Sequence, residues 1–178
     1  MIGFIQGGDG VQKLMCGGGF MVITFLNVPE GQEKEFKEKA WKTWQSIRED
    51  LFMLYGYASC YETRKWLHDN YGTDKGLTCD EVWQEIDRIR NEYGLGIDYV
   101  KSNTFEGQDE GYIRYQFAYG GPQYELRFYD SGWVEFAYLD WFTGIGFDVT
   151  EDEAVEAVRE YFEDIGLFES LKEEVKGC

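Results

Sequence analysis

The sequence contains very little histidine and proline. Among its 178 residues there is one histidine, His68, and there are two prolines. A Ser-His-Asp or Cys-His arrangement could be built only around His68, and its neighbours Leu67 and Asp69 indicate a surface position. Two prolines leave little room for a Pro-rich linker, and the length is that of one domain.

Motifs that bind phosphate, nucleotide or metal are also missing. No glycine-rich stretch ends in the Gly-Lys-Ser/Thr of a P-loop, and residues 144–146 lack the third glycine of a dinucleotide-binding turn. The four cysteines show no CxxC or CxH spacing of a zinc site. Residues 148–159 begin like a calcium loop but have glutamate where its glycine belongs. We therefore expect no cofactor, no metal and no enzymatic activity.

Long hydrophobic runs are absent as well. Residues 1–20 have neither the basic start nor the apolar core of a signal peptide. No apolar run approaches the roughly 20 residues that a membrane helix needs. We expect a cytoplasmic protein with reduced thiols; the alternative is an intracellular protein from a hyperthermophile, in which disulfides persist.

Basic side chains are scarce relative to acidic ones. There are 17 basic and 34 acidic residues, which gives a net charge of −17, and residues 101–178 alone carry 18 acidic and 6 basic residues, a net charge of −12. This charge repels nucleic acid and anionic membranes, so we expect neither as a direct partner. It favours a basic protein partner, while the simpler interpretation is a device for solubility.

Apolar and aromatic residues are abundant, at 43% and 18% of the chain, and they suffice for a hydrophobic core. Glycines cluster near the N-terminus, which predicts a flexible segment over residues 1–19 followed by a single acidic α+β domain over residues 20–178. Residues 20–27 form a continuous apolar stretch that predicts a buried strand.

Apolar residues recur at three- and four-residue steps over residues 31–55, which predicts one long amphipathic helix. Thr78 and Glu81 are spaced as in a capping box, and Thr150 is expected to cap a later helix. Further amphipathic helices are predicted over residues 60–71, 79–93, 150–165 and 167–175.

From residue 97 the hydrophobic period changes to two, which indicates strands. Strands are predicted over residues 112–119, 123–129, 133–139 and 145–149. The first three are joined by short glycine-containing turns that leave no room for a crossover, so they must be antiparallel. The predicted fold class is α+β, with an antiparallel meander of about four to five strands packed against the long N-terminal helix.

Acidic and aromatic residues concentrate on the predicted meander and on the helix after it. Carboxylates four residues apart on one helix face cost a few tenths of a kcal/mol per pair, so their alignment needs a reason beyond folding. Rows of carboxylates can stand in for phosphates in a basic channel, with aromatic side chains as anchors. The predicted partner-binding residues are Asp148, Glu151, Asp152, Glu156, Glu160, Glu163, Glu135, Asp140, Tyr138 and Trp141.

In composition the chain resembles phage and viral inhibitors of host defence, including anti-CRISPR and anti-restriction proteins, and bacterial toxin-immunity proteins. This resemblance implies a non-enzymatic binding protein that inhibits a basic nucleic-acid-handling enzyme by nucleic-acid mimicry or by surface blocking. Two alternatives stay open. One is a structural or assembly protein that oligomerises through an aromatic sheet face, and the other is a hydrolase that uses two carboxylates, such as Asp140 and Glu135.

Overall fold

The computed structural model describes residues 5–6, 11–16, 19–105 and 107–176. Within this part of the chain, three strands are followed by three helices, then by five strands and finally by two helices. The elements are β1 (Ile5–Gln6), β2 (Val11–Cys16), β3 (Gly19–Leu26), α1 (Glu33–Tyr55), α2 (Cys60–Tyr71), α3 (Cys79–Glu92), β4 (Gly96–Val100), β5 (Tyr112–Ala118), β6 (Gln123–Tyr129), β7 (Val134–Asp140), β8 (Thr143–Asp148), α4 (Glu153–Asp164) and α5 (Leu167–Lys176).

The strands form one antiparallel sheet, with the order β1-β2-β3-β8-β7-β6-β5-β4. The predicted meander is confirmed, because β5, β6 and β7 are neighbours in chain order and pair antiparallel. The predicted number of strands was too small. Strand β4 extends the meander at one edge, and β3 joins it through β8 at the other.

The main core lies between one face of the sheet and helices α1, α4 and α5. Successive strand residues point to opposite faces, so Leu126 and Phe128 of β6 share the core face with Phe136 of β7. Trp44 of α1 packs on Phe136 with ring centroids 5.0 Å apart. This contact confirms that the meander packs against the long N-terminal helix.

A second, smaller core joins the end of α1 to α2 and α3. The two shorter helices begin at capping boxes: Ser59 with Glu62 for α2, and Thr78 with Glu81 for α3, as predicted for the latter. Arg90 of α3 donates to the backbone carbonyl of Leu54 through Nε at 2.9 Å, which satisfies a carbonyl in the last turn of α1.

Cys60 and Cys79 form a disulfide, with their Cα atoms 5.7 Å apart. The expectation of reduced thiols is therefore wrong for this pair. The two cysteines are 19 residues apart in sequence, and the packing of α2 against α3 brings the starts of these helices together. The expected compartment stays a prediction.

Thr150 does not cap α4, contrary to prediction. Its hydroxyl donates to the Asp148 carboxylate at 2.7 Å and accepts from the backbone N–H of Val134 at 2.9 Å. The helix begins three residues later, and Asp152 is its N-cap, accepting from the backbone N–H of Ala154 at 2.9 Å. The prediction failed because the hydroxyl is occupied by a neighbouring strand.

The predicted flexible segment over residues 1–19 is described only in part. Strands β1 and β2 lie within it, and β2 pairs with β3 from Val11 to Cys16. Flexibility is a property of motion, so that prediction stays a prediction, as does the single domain over residues 20–178. No helix in the described ranges is both long enough and apolar enough to span a membrane.

Candidate functional site

The outer side of α4 carries a group of exposed carboxylates. Its inner side buries Val155, Val158 and Phe162 in the main core, so the helical period turns the remaining positions outwards. In the described part of the chain, none of these outer carboxylates forms an ion pair. They are Glu156, Glu160, Glu163 and Asp164, and we call them the acidic face.

Tyr57 extends the acidic face from a different element. It lies in the connection between α1 and α2, is 90% exposed, and donates its hydroxyl to Glu160 at 3.3 Å. The negative charge of Glu160, followed by its hydrogen bond and the charges of Asp164 and Glu156, raises the pKa of Tyr57 above its ordinary value. An exposed ring therefore stands among carboxylates, an arrangement that the sequence prediction missed because 103 residues separate the partners.

Asp152, which the sequence aligned with these carboxylates, has a structural role instead. Besides capping α4, it accepts from Nε of Arg48 at 2.6 Å, and Glu153 accepts from Nη2 of the same arginine at 3.0 Å. Arg48 belongs to α1, so this pair of contacts ties α1 to the start of α4. Asp152 therefore lies at the margin of the acidic face, already paired with a cation.

Three other predicted residues lie at the sheet or next to it. Asp148 accepts from both the hydroxyl and the backbone N–H of Thr150, while Glu151 is exposed in the turn before α4. Asp140, at the end of β7, is 3.4 Å from Nζ of Lys39 on α1. These carboxylates surround the start of α4 and the far end of β7, and do not form one cluster with the acidic face.

Glu135 and Tyr138 lie in the interior, at 6% and 1% exposure, so neither has the surface that a direct partner contact needs. Tyr138 packs in the main core, with its ring 5.5 Å from that of Phe36. Glu135 lies on the opposite sheet face, where it accepts from Arg127 Nη1 at 3.1 Å and from the Tyr129 hydroxyl at 3.2 Å. The sequence-based prediction had grouped Glu135 and Tyr138 because they are close in sequence, although they lie on opposite faces of the sheet.

The carboxylates suggested for a hydrolase are not brought together. Glu135 and Asp140 are five residues apart on β7, roughly 16 Å at the rise of a strand, and they point to opposite faces of the sheet. Glu125 does lie near Glu135, since both accept from Arg127, but it is 1% exposed. A substrate would have to displace that arginine to reach either carboxylate.

Exposed aromatic side chains cluster at one end of the sheet. Trp141 and Phe142 occupy the turn between β7 and β8, and Tyr119 lies in the turn between β5 and β6. These turns are adjacent: Nε1 of Trp141 would be 3.6 Å from a Cβ placed on Gly121. We call Tyr119, Trp141 and Phe142 the aromatic tip.

A cleft of about 490 Å³ lies between α1 and the sheet edge, with Lys42, Ser46, Phe117 and Tyr124 among its lining residues. At its base Asp50 accepts from the Tyr93 hydroxyl at 2.9 Å, and burial raises the pKa of Asp50. The cleft is open and of mixed polarity. Within the residues that the structure describes, no group of three or more histidine, cysteine or acidic side chains is placed to hold a metal ion.

Comparison with known proteins gives no match to a family model, to a curated protein or to a solved structure.

Proposed function

We propose that this protein is a non-catalytic inhibitor that binds a basic, nucleic-acid-handling enzyme through the acidic face of α4. The observation that carries the proposal is the exposed carboxylate group of α4, which has no ion pair in the described residues and has Tyr57 standing within it. The enzyme's positive groove would meet carboxylates in place of phosphates.

The placement of charge supports this proposal over a role in folding. The acidic carboxylates lie off the buried stripe, and Glu156 and Glu160 are one helical turn apart, where like charges destabilise a helix by a few tenths of a kcal/mol. A partner with a positive surface turns this repulsion into attraction and raises the association rate by roughly 10 to 10³.

Tyr57 adds an aromatic side chain that a partner can bury, which a surface of carboxylates alone does not offer. A tyrosine buries a large ring at low cost in conformational entropy, and aromatic residues are enriched among the side chains that dominate binding energy. Its hydrogen bond to Glu160 places the Tyr57 hydroxyl beside α4. The proposed interface therefore combines an aromatic anchor with carboxylates that steer the encounter.

The test compares two variants that remove the same amount of negative charge. The acidic-face variant combines Glu156→Gln, Glu160→Gln, Glu163→Gln and Asp164→Asn. The matched control combines Glu30→Gln, Glu35→Gln, Asp69→Asn and Asp80→Asn, all exposed and, among the described residues, free of ion pairs. Parent and variants are used as bait in a lysate of the source organism at about 50 mM and about 500 mM salt, since screening shortens the range of charge attraction.

We expect the parent and the control variant to retain a basic nucleic-acid enzyme at low salt and to lose it at high salt. The acidic-face variant should bind that enzyme at least about tenfold more weakly, because steering and ion pairing are both reduced. The purified enzyme should lose activity on its nucleic acid when the parent is added. If the acidic-face variant retained and inhibited the enzyme as well as the parent does, the proposal would be wrong, and the carboxylates would serve only solubility.

The aromatic tip favours a second candidate, a structural or assembly protein. Elsewhere on the sheet, aromatic rings are largely occupied by one another, as in the Tyr129–Trp133 stack at 4.8 Å. The tip presents three large, exposed aromatic side chains, with Trp141 87% exposed. An oligomer formed there would not weaken as salt is added, in contrast to the binding of a basic partner.

A further inference from the structure

The disulfide joins the first residues of two helices at the protein surface. Cys60 is the first residue of α2 and is partly exposed, while Cys79 is the first residue of α3 and is exposed. A thiol reagent in solution can therefore approach the sulfur of Cys79. Disulfides that only stabilise a fold are usually shielded, so this exposure raises the question of reactivity.

Both sulfurs lie at helix N-termini, where unsatisfied backbone N–H groups favour negative charge. Glu62 and Glu81 belong to the capping boxes of these helices. Each places a carboxylate two residues beyond the cysteine that begins its helix. Those carboxylates bind the N-cap groups Ser59 and Thr78. The helix ends by themselves therefore do not decide whether a thiolate is stabilised.

Arg64 supplies the deciding positive charge. Its Nη2 is 3.6 Å from Sγ of Cys60, because residues four apart on a helix are neighbours. The same Nη2 is 4.0 Å from Sγ of Cys79, which the disulfide holds beside Cys60. Its Nε is buried and, in the described part of the chain, has no hydrogen-bond partner. A guanidinium with an unused donor is thus held directly beside the sulfur–sulfur bond, an environment that activates cysteines.

We propose that Cys60 and Cys79 form a redox-active disulfide that exchanges reversibly with dithiol reductants, and that the positive charge of Arg64 stabilises the thiolate that leaves. A thiolate of the dithiol attacks Sγ of Cys79, and the protein's sulfur–sulfur bond breaks. Its electron pair leaves on Sγ of Cys60, where Arg64 is nearest. The dithiol's second thiolate then attacks its own sulfur in the mixed disulfide and releases Cys79. Two electrons and two protons pass from the dithiol to the protein, and the dithiol becomes a disulfide.

The site is independent of the proposed inhibitory function. A disulfide that served only to cross-link α2 and α3 would be equally reducible with or without the guanidinium, provided that the helices stayed folded. A thiol of lower pKa leaves faster, and with a slope of about 0.5, the value for the attacking thiol, a leaving-group pKa lower by one unit speeds exchange about threefold. The effect of Arg64 on the rate therefore separates the two roles.

The experiment uses the full chain with dithiothreitol as the dithiol, in the absence of denaturant. Samples are quenched with iodoacetamide at intervals, and the peptides that contain Cys60 and Cys79 are quantified by mass spectrometry. Arg64→Gln removes the charge and Arg64→Lys keeps it. The matched control is Lys65→Gln, which removes the same charge from an exposed neighbour that, among the described residues, forms no hydrogen bond or ion pair. Circular dichroism confirms that each variant is folded.

We expect reduction of the folded parent, a rate about threefold or more lower for Arg64→Gln, and a rate near that of the parent for Lys65→Gln and Arg64→Lys. Alkylation of the reduced protein should also need a higher pH in Arg64→Gln. Equal rates for Arg64→Gln and Lys65→Gln would overturn the proposal. So would reduction that begins only at denaturant concentrations that unfold the protein. If Arg64→Gln does not fold, a loss of rate in folded Arg64→Lys to the level of unassisted exchange would equally overturn it.

Discussion

Arg127 is the shared partner of two buried carboxylates on the sheet face opposite the helices. Its Nε donates to Glu125 at 2.7 Å, and its Nη1 donates to Glu135 at 3.1 Å. Glu125 also accepts from Gln123 and Glu135 from Tyr129, so each carboxylate has one neutral donor besides the arginine. Strand β8 accommodates this cluster through Gly146, since a Cβ there would collide with the Glu135 carboxylate.

Replacing Arg127 with methionine should therefore lower the free energy of unfolding by about 3–5 kcal/mol, because it leaves two carboxylates buried without their cation. Urea unfolding at pH 7 measures the difference. Lys65→Met is the control, since this exposed side chain should change stability by no more than about 0.5 kcal/mol. A loss below about 1 kcal/mol would mean that water reaches the carboxylates and solvates them.

The loss of stability in Arg127→Met should also depend on pH. Burial raises the pKa of Glu135, and Arg127 opposes that shift. An acid whose pKa is higher in the folded state favours folding at low pH, and this contribution is lost as the pH rises through the folded-state value. Without Arg127 the pKa of Glu135 rises further, so the deficit of the variant should shrink between pH 7 and pH 5. A deficit that is the same at both values would contradict this account.

At the scale of the element, α4 depends on Asp152 for its start and for its attachment to α1. Asp152→Ala removes the N-cap and leaves Arg48 with Glu153 alone. We expect a loss of about 1–2 kcal/mol in the free energy of unfolding, most of it from the cap. Glu151→Ala, one residue earlier and exposed, should be nearly neutral. Equal effects of the two substitutions would show that the cap is dispensable.

The contrast between helix starts shows what the sequence could predict. The Thr78–Glu81 capping box is local, with both partners within one turn, and it was predicted correctly. Thr150 has the same chemistry, but the backbone of Val134, 16 residues away, takes its hydroxyl. A cap is decided by what else can reach the side chain, and sequence spacing does not contain that information.

The same distinction applies to strands and to the site. Periodicity of two and short turns predicted the meander, because both are properties of neighbouring residues. The joining of β3 to β8, the disulfide and the contact of Tyr57 with Glu160 depend on partners more than 18 residues apart. For α4 the helical period correctly predicted that Glu156, Glu160 and Glu163 face outwards, whereas burial of Glu135 and Tyr138 required knowledge of the packed sheet.

At the scale of the whole molecule, the net charge favours a monomer, whereas the exposed aromatic surface favours association between copies. A net charge of −17 makes copies repel one another, most strongly at low salt. The aromatic tip attracts, but three aromatic side chains bury roughly 150–250 Å² each. Even fully covered, they reach no more than about the 800 Å² per partner that a stable interface of standard size contains.

We therefore expect the protein to be a monomer, with the mass of one chain by light scattering at about 50 mM and about 500 mM salt, since repulsion and small contact area both oppose association. Trp141→Ser with Phe142→Ser should leave that mass unchanged, as should Tyr61→Ser, which removes an exposed ring far from the tip in sequence. An oligomer that persists at high salt, and that dissociates in the tip variant but not in Tyr61→Ser, would contradict the expectation. It would also favour assembly over inhibition, because an apolar contact between copies would then outweigh a repulsion that the acidic chain exerts on itself.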